Sequence, residues 1–89
     1  MAWRVDFTDT ATRQLEKLDR QDARRIVAFL RERVAVQDDP RATGKALTGS
    51  TLGRYWRYRV GDWRIVCSID DGAVRILVVT LGNRREIYR

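Results

Sequence analysis

At 89 residues the chain has room for one domain with a single modest core, and a hydrophobic fraction of 44% excludes a wholly disordered chain. No apolar run approaches the length that would span a bilayer, and "MAWRVDFTDT" lacks the uninterrupted hydrophobic segment of a secretory signal, so the expected setting is cytoplasmic. The formal net charge of +6, with a pI near 10.4, points to an anionic partner, either nucleic acid or an acidic protein.

Cysteine and histidine usage narrows the chemistry further. The chain has one cysteine, Cys67, and no histidine, which argues against a zinc site and against a thiol nucleophile served by an imidazole base. In "RIVCSI" the cysteine alternates with apolar neighbours, as a small core residue does. Of the 18 basic residues only Lys17 and Lys45 are lysine, and the stretch from 54 to 89 is net basic.

Taken in chain order, "AWRVDF" alternates Trp3, Val5 and Phe7 with Arg4 and Asp6 and reads as a first strand. "TDT" supplies N-cap candidates for a helix whose Ala11, Leu15 and Leu18 recur at helical spacing. Asp19 is a candidate cap for a second helix, with Ala23, Ile26, Val27, Leu30 and Val34 as its apolar stripe. A long polar connection follows, "VQDDPRATGKALTGSTLG", in which Leu47 is the expected anchor.

The sheet then begins. "RYWRYRV" places Tyr55, Arg57 and Arg59 on one face and Trp56, Tyr58 and Val60 on the other. Gly61–Asp62 suits a type II′ turn into "WRIVCSI", and "DDG" signals a second hairpin with Asp71–Gly72 at its centre. "AVRILVVTL" is the most apolar strand and the expected central one; "GNRREIYR" closes the chain. The order is β-α-α-β-β-β: two N-terminal helices on a small, mainly antiparallel sheet, an α+β domain.

Arg57 and Arg59 share a strand face, and the two-residue turn brings Arg64 up on the neighbouring strand. From this hairpin alone, a solvated basic sheet surface and a site for an absent anion fit equally. Guanidinium forks match phosphate oxygens in pairs, and Tyr55 on the same face offers a stacking surface for a base. Trp56, Tyr58 and Trp63 belong to the face expected under the helices. In the tail, Ile87 and Tyr88 suggest a segment that folds back and carries Arg84 and Tyr88 toward the arginine face.

Three pieces in order, "LEKL", "KALTG…LGRYWRYRVGDWRIVCSI" and "LGNRREIY", resemble the RelE/ParE superfamily of bacterial type II toxin–antitoxin toxins, in particular its RelE-like branch. The resemblance spans essentially the whole chain. It implies a toxin that enters the ribosomal A site and cuts mRNA by attack of a ribose 2′-oxygen on the adjacent phosphate, without metal or cofactor. It implies that Arg64 clamps the phosphate, that Arg84 serves the leaving group, that Tyr88 stacks or orients the substrate, and that Arg57 lies on the basic catalytic strand. Tyr55, Arg59, Arg85 and Arg89 are then expected to bind RNA. It also implies a small acidic RelB-like antitoxin in a hetero-oligomeric complex. Arg57 and Arg59 match a basic strand where the best-known member uses lysines, Tyr55 falls where a second lysine stands, and Asn83 replaces a histidine common in the family's tail. Arginine holds its proton, so the general base is left open among Tyr88, Glu86 and a ribosomal group. Two further readings share the same fold: a ParE-like toxin that poisons DNA gyrase without cutting RNA, and an inactive module that only binds its antitoxin.

Overall fold

The structure is a computed structural model that describes residues 2–47 and 55–83. The first strand, β1 (Arg4–Phe7), leads through Thr8 into α1 (Asp9–Glu16). Thr8 is the N-cap, and its hydroxyl accepts from the Ala11 N–H at 3.1 Å. The second helix, α2 (Arg20–Ala28), starts at Asp19, but the Asp19 side chain makes no capping bond. The apolar stripe continues through Val34 as expected, while the backbone changes at Phe29. From there to Val34 it forms wider π-helical turns, closed by the Ala35 N–H donating to the Leu30 carbonyl at 2.8 Å.

Four more strands complete the sheet: β2 (Lys45–Ala46), β3 (Tyr55–Val60), β4 (Trp63–Asp70) and β5 (Arg75–Asn83). The spatial order is β1-β5-β4-β3-β2, with β1 parallel to β5 and every other pair antiparallel. The mainly antiparallel α+β domain expected from the pattern is thus what forms, with one short strand added. The apolar strand β5 is interior, though β4 holds the middle position.

One face of the sheet lies under the helices. Ile26, Leu30 and Val34 from the helical segment meet Tyr58, Ile65, Cys67, Ile76, Val78 and Leu81 from the strands, all essentially inaccessible to solvent. Trp56 and Trp63 pack against this core, as their alternation requires. Burial pushes the Cys67 thiol far above its ordinary value, consistent with an inert core residue.

Both hairpin turns were visible as turns, but only one has the expected form. Gly61 has φ +58 and Asp62 has no positive φ, so the Gly61–Asp62 turn is of the II′ kind. The second connection takes four residues, because Asp70 pairs with Arg75. Its left-handed residue is Val74, φ 51, rather than Gly72. The Val74 N–H donates to the Asp71 carbonyl, and the Val74 carbonyl accepts from Arg4, the residue that opens β1. That second contact ties an unfavourable backbone state to the start of the parallel pair.

A bulge sets the end of β5. Val66 pairs with Thr80 but Cys67 pairs with Val78, leaving Val79 extra. Inward-facing positions therefore shift from Ile76 and Val78 to Leu81, while Thr80 and Gly82 join the outer face. Here β1 has already ended, and α1 covers the exposed strand edge instead. Gln14 Oε1 accepts from the Leu81 N–H at 2.8 Å, and the Thr8 hydroxyl donates to the Val79 carbonyl at 2.7 Å.

Candidate functional site

The outer sheet face carries the basic residues. Strand partners share a face, so the register Arg59↔Arg64 and Lys45↔Arg57 brings four cations from three adjacent strands to one side. They line a groove of about 280 Å³ together with Gly44 and Tyr58. No acidic residue is among the described residues that line it. Opposed positions on paired strands have Cβ atoms about 5 Å apart, and like charges placed there repel. Two such pairs side by side give this face a positive field that favours an anionic ligand.

Local structure explains how each cation is held. Arg57 and Arg64 are half-buried, and Arg64 Nε is inaccessible to solvent. Gly82 stands opposite Arg64 on β5, so the neighbouring strand puts no side chain in its way. Arg59 is exposed at the mouth, and its Nε donates to the Gly61 carbonyl at 3.3 Å, which fixes its base at the hairpin turn.

Lys45 was not singled out as a site residue, because its segment reads as a polar connection. In the structure that connection is anchored mainly by polar contacts to β3. Pro40 is buried, and its carbonyl accepts from the Tyr58 hydroxyl at 2.8 Å. Trp56 Nε1 donates to the Thr43 carbonyl at 2.6 Å. Leu47, the expected anchor, contributes its backbone N–H to the Tyr55 carbonyl at 3.0 Å, and its side chain is only half-buried. The chain then fits against β3 through Gly44, φ +83, where a Cβ would lie 2.3 Å from the Arg57 carbonyl. The available signal was the glycine in "TGKAL", a backbone of close approach one residue ahead of a lysine.

The structure thus brings Arg57, Arg59 and Arg64 together. Tyr55 is on the same face, one alternate position before Arg57, paired with Ser68 and outside the groove wall. Arg84, Arg85, Tyr88 and Arg89 lie outside the described residues. Among the described residues no cluster of acidic, cysteine or histidine side chains has the makings of a metal site. No described helix is long and apolar enough to cross a membrane. The groove can bind phosphate oxygens through several charge-assisted hydrogen bonds and hold negative charge that develops on them.

Comparison with known proteins places the chain. A family model described as the ParE toxin of the type II toxin–antitoxin system parDE matches residues 5–88. Toxin RelE of Mycobacterium tuberculosis is 32% identical over 87 residues, covering 98% of this chain and 87% of its own. Toxin RelG of the same organism is 32% identical over 92 residues, covering 100% of this chain and 99% of its own. Among solved structures, the M. tuberculosis toxin–antitoxin complex RelBE2 contains a chain that superposes with a TM-score of 0.84 at 27% identity, across 94% of this chain and 93% of that one. The chain belongs to the RelE/ParE superfamily and is a toxin of a type II toxin–antitoxin system.

Proposed function

We propose that this toxin is a ribosome-dependent endoribonuclease that cuts mRNA in the A site and so stops translation. The observation that carries the reading is the groove in which Lys45, Arg57, Arg59 and Arg64 converge on one sheet face. The ribose 2′-oxygen attacks the adjacent phosphorus, the 5′-oxygen departs, and a 2′,3′-cyclic phosphate remains. Arg57 and Arg64 hold the non-bridging oxygens as the phosphorane gathers charge, an effect worth about 10²–10³ in rate for one well-placed donor. Arg59 at the mouth, with Tyr55, Arg85 and Arg89, guides the RNA strand. Arg84 and Tyr88, which follow β5 in sequence, complete the site. The ribosome supplies a strand already held near the geometry of attack. An acidic RelB-like antitoxin neutralises the basic face in a toxin–antitoxin assembly, and the similar RelBE2 structure is itself a toxin–antitoxin complex.

The test is to express the chain and map mRNA 5′ ends on translating ribosomes. Codon-phased cuts that disappear in Arg64→Ala are the expected result. A second reading, poisoning of DNA gyrase, follows from the matched family model, which is named for ParE. Intact mRNA together with gyrase-trapped DNA breaks would favour it and refute the nuclease.

A further inference from the structure

The groove has a group that can release a proton more readily than an arginine. Lys45 sits on β2 opposite Arg57, and Arg64 sits on β4 opposite Arg59. Adjacent strands are about 4.8 Å apart, so β2 and β4 stand roughly 10 Å apart as two walls with β3 between them. Half-buried Arg57 forms the floor, with exposed Arg59 at the mouth. A phosphate seated on that floor presents its non-bridging oxygens to the guanidiniums. In an in-line displacement the attacking and departing oxygens then lie on opposite sides of phosphorus, toward the walls.

The lysine's position is closely determined although its side chain is exposed. The residue before it, Gly44, occupies a left-handed backbone against the Arg57 carbonyl, and Trp56 holds Thr43 one residue earlier. Ala46 pairs with Trp56, and the Leu47 N–H reaches the Tyr55 carbonyl. These contacts fix the lysine's backbone across from Arg57, and the residue lines the groove. An ammonium is also the stronger acid of the two cation types, by about two units or more.

Resting on the nuclease reading above, we propose that Lys45 is a catalytic residue, the general acid that protonates the departing 5′-oxygen. As the 2′-oxygen bonds to phosphorus its proton passes to solvent water. The bond from phosphorus to the 5′-oxygen breaks with its electron pair on oxygen, and that oxygen takes a proton from Lys45 Nζ. Water then reprotonates the amine. Arg64, on the opposite wall, holds a non-bridging oxygen together with Arg57.

The experiment uses the full chain on programmed ribosomes under single-turnover conditions, with two mRNAs. One is unmodified, and the other carries a single 5′-bridging sulfur at the scissile phosphate, a leaving group that departs as thiolate without a proton. Lys45→Met is expected to slow cleavage of the oxygen substrate by about 100-fold or more. On the sulfur substrate it should fall within about 3-fold of wild type, a margin of well under the 1.4 kcal/mol that separates tenfold rates. Lys45→Arg keeps the positive charge and should show most of the same oxygen-specific loss. An equal defect on both substrates would overturn the proposal, because it would assign the lysine a binding or charge role. Full activity of Lys45→Met would overturn it too. If wild type cuts neither substrate, both the nuclease reading and this role fall. If wild type cuts both, the nuclease reading stands whatever Lys45 does.

Discussion

Two glycines with positive φ make a controlled comparison of what the loop before β2 contributes. Gly61 has φ +58, and a Cβ there would meet nothing nearer than an Arg25 guanidinium nitrogen at 3.5 Å, an ordinary contact. Gly61→Ala should therefore lose only the left-handed penalty of about 1–2 kcal/mol, offset by about 0.4–1 kcal/mol from a stiffer unfolded chain. Gly44 has φ +83, but its Cβ would lie 2.3 Å from the Arg57 carbonyl and 2.7 Å from Trp56 Nε1. Neither is the tip of a flexible chain, so the loop itself must move. Moving it breaks the Trp56–Thr43 hydrogen bond and strains the pairing of Lys45 and Ala46 with β3, at about 1 kcal/mol for each bond lost. Gly44→Ala is thus expected to cost roughly 3 kcal/mol in all, about 2 kcal/mol more than Gly61→Ala. Urea unfolding followed by tryptophan fluorescence measures both, and Trp56 reports the loop directly. Equal costs for the two variants would refute the close approach at Gly44, and with it the reason Lys45 stands on the groove wall.

Three other outcomes follow from particular contacts. Tyr58→Phe keeps the edge-on packing against Phe29, ring centroids 6.0 Å apart, but leaves the Pro40 carbonyl without its hydroxyl donor. It should cost about 1–2 kcal/mol in chemical denaturation. Gln14→Leu should cost about 1–3 kcal/mol, because Gln14 is the acceptor for the Leu81 N–H at the strand edge that α1 covers, and amide exchange at Leu81 should accelerate. Asp71 is paired with Arg41 at 2.9 Å, and the guanidinium's hydrogen bond holds its carboxyl below the ordinary range. A carboxyl depressed on folding stabilises above its unfolded pKa and ceases to as pH falls through its folded value. Asp71→Asn should therefore be slightly less stable than wild type at neutral pH, with the gap closing below about pH 4 in urea titrations.

The face assignment of the hairpin could be read from residues alone because strand alternation is strict. Arg57 and Arg59 against Trp56 and Tyr58 leave only one way to turn, and a two-residue II′ turn then dictates that Arg64 meets Arg59. Patterns spread over fewer residues were not legible. A strand of two residues, Lys45–Ala46, is too short to show a repeat, and its lysine is placed by contacts to a strand ten residues further on. The second hairpin shows the other kind of failure. "DDG" advertises a tight turn at Gly72, yet the Asp70–Arg75 pairing and the hydrogen bond from Arg4 to the Val74 carbonyl move the left-handed residue to Val74. Tertiary demand overrode turn chemistry there. The helical turns widen after Ala28 without disturbing the stripe that buries Ile26, Leu30 and Val34.

The central claim is that the groove of Lys45, Arg57, Arg59 and Arg64 holds the phosphate at which mRNA is cut. Its most direct measurement uses purified ribosomes carrying a defined mRNA, incubated with this toxin and with an Arg57→Ala, Arg64→Ala double variant. Mass spectrometry of the fragments then identifies the new 3′ end. The account predicts one cut in the A-site codon ending in a 2′,3′-cyclic phosphate, reduced by at least about 100-fold in the double variant. An intact message, a 3′-hydroxyl end, or undiminished cutting by the double variant would contradict it.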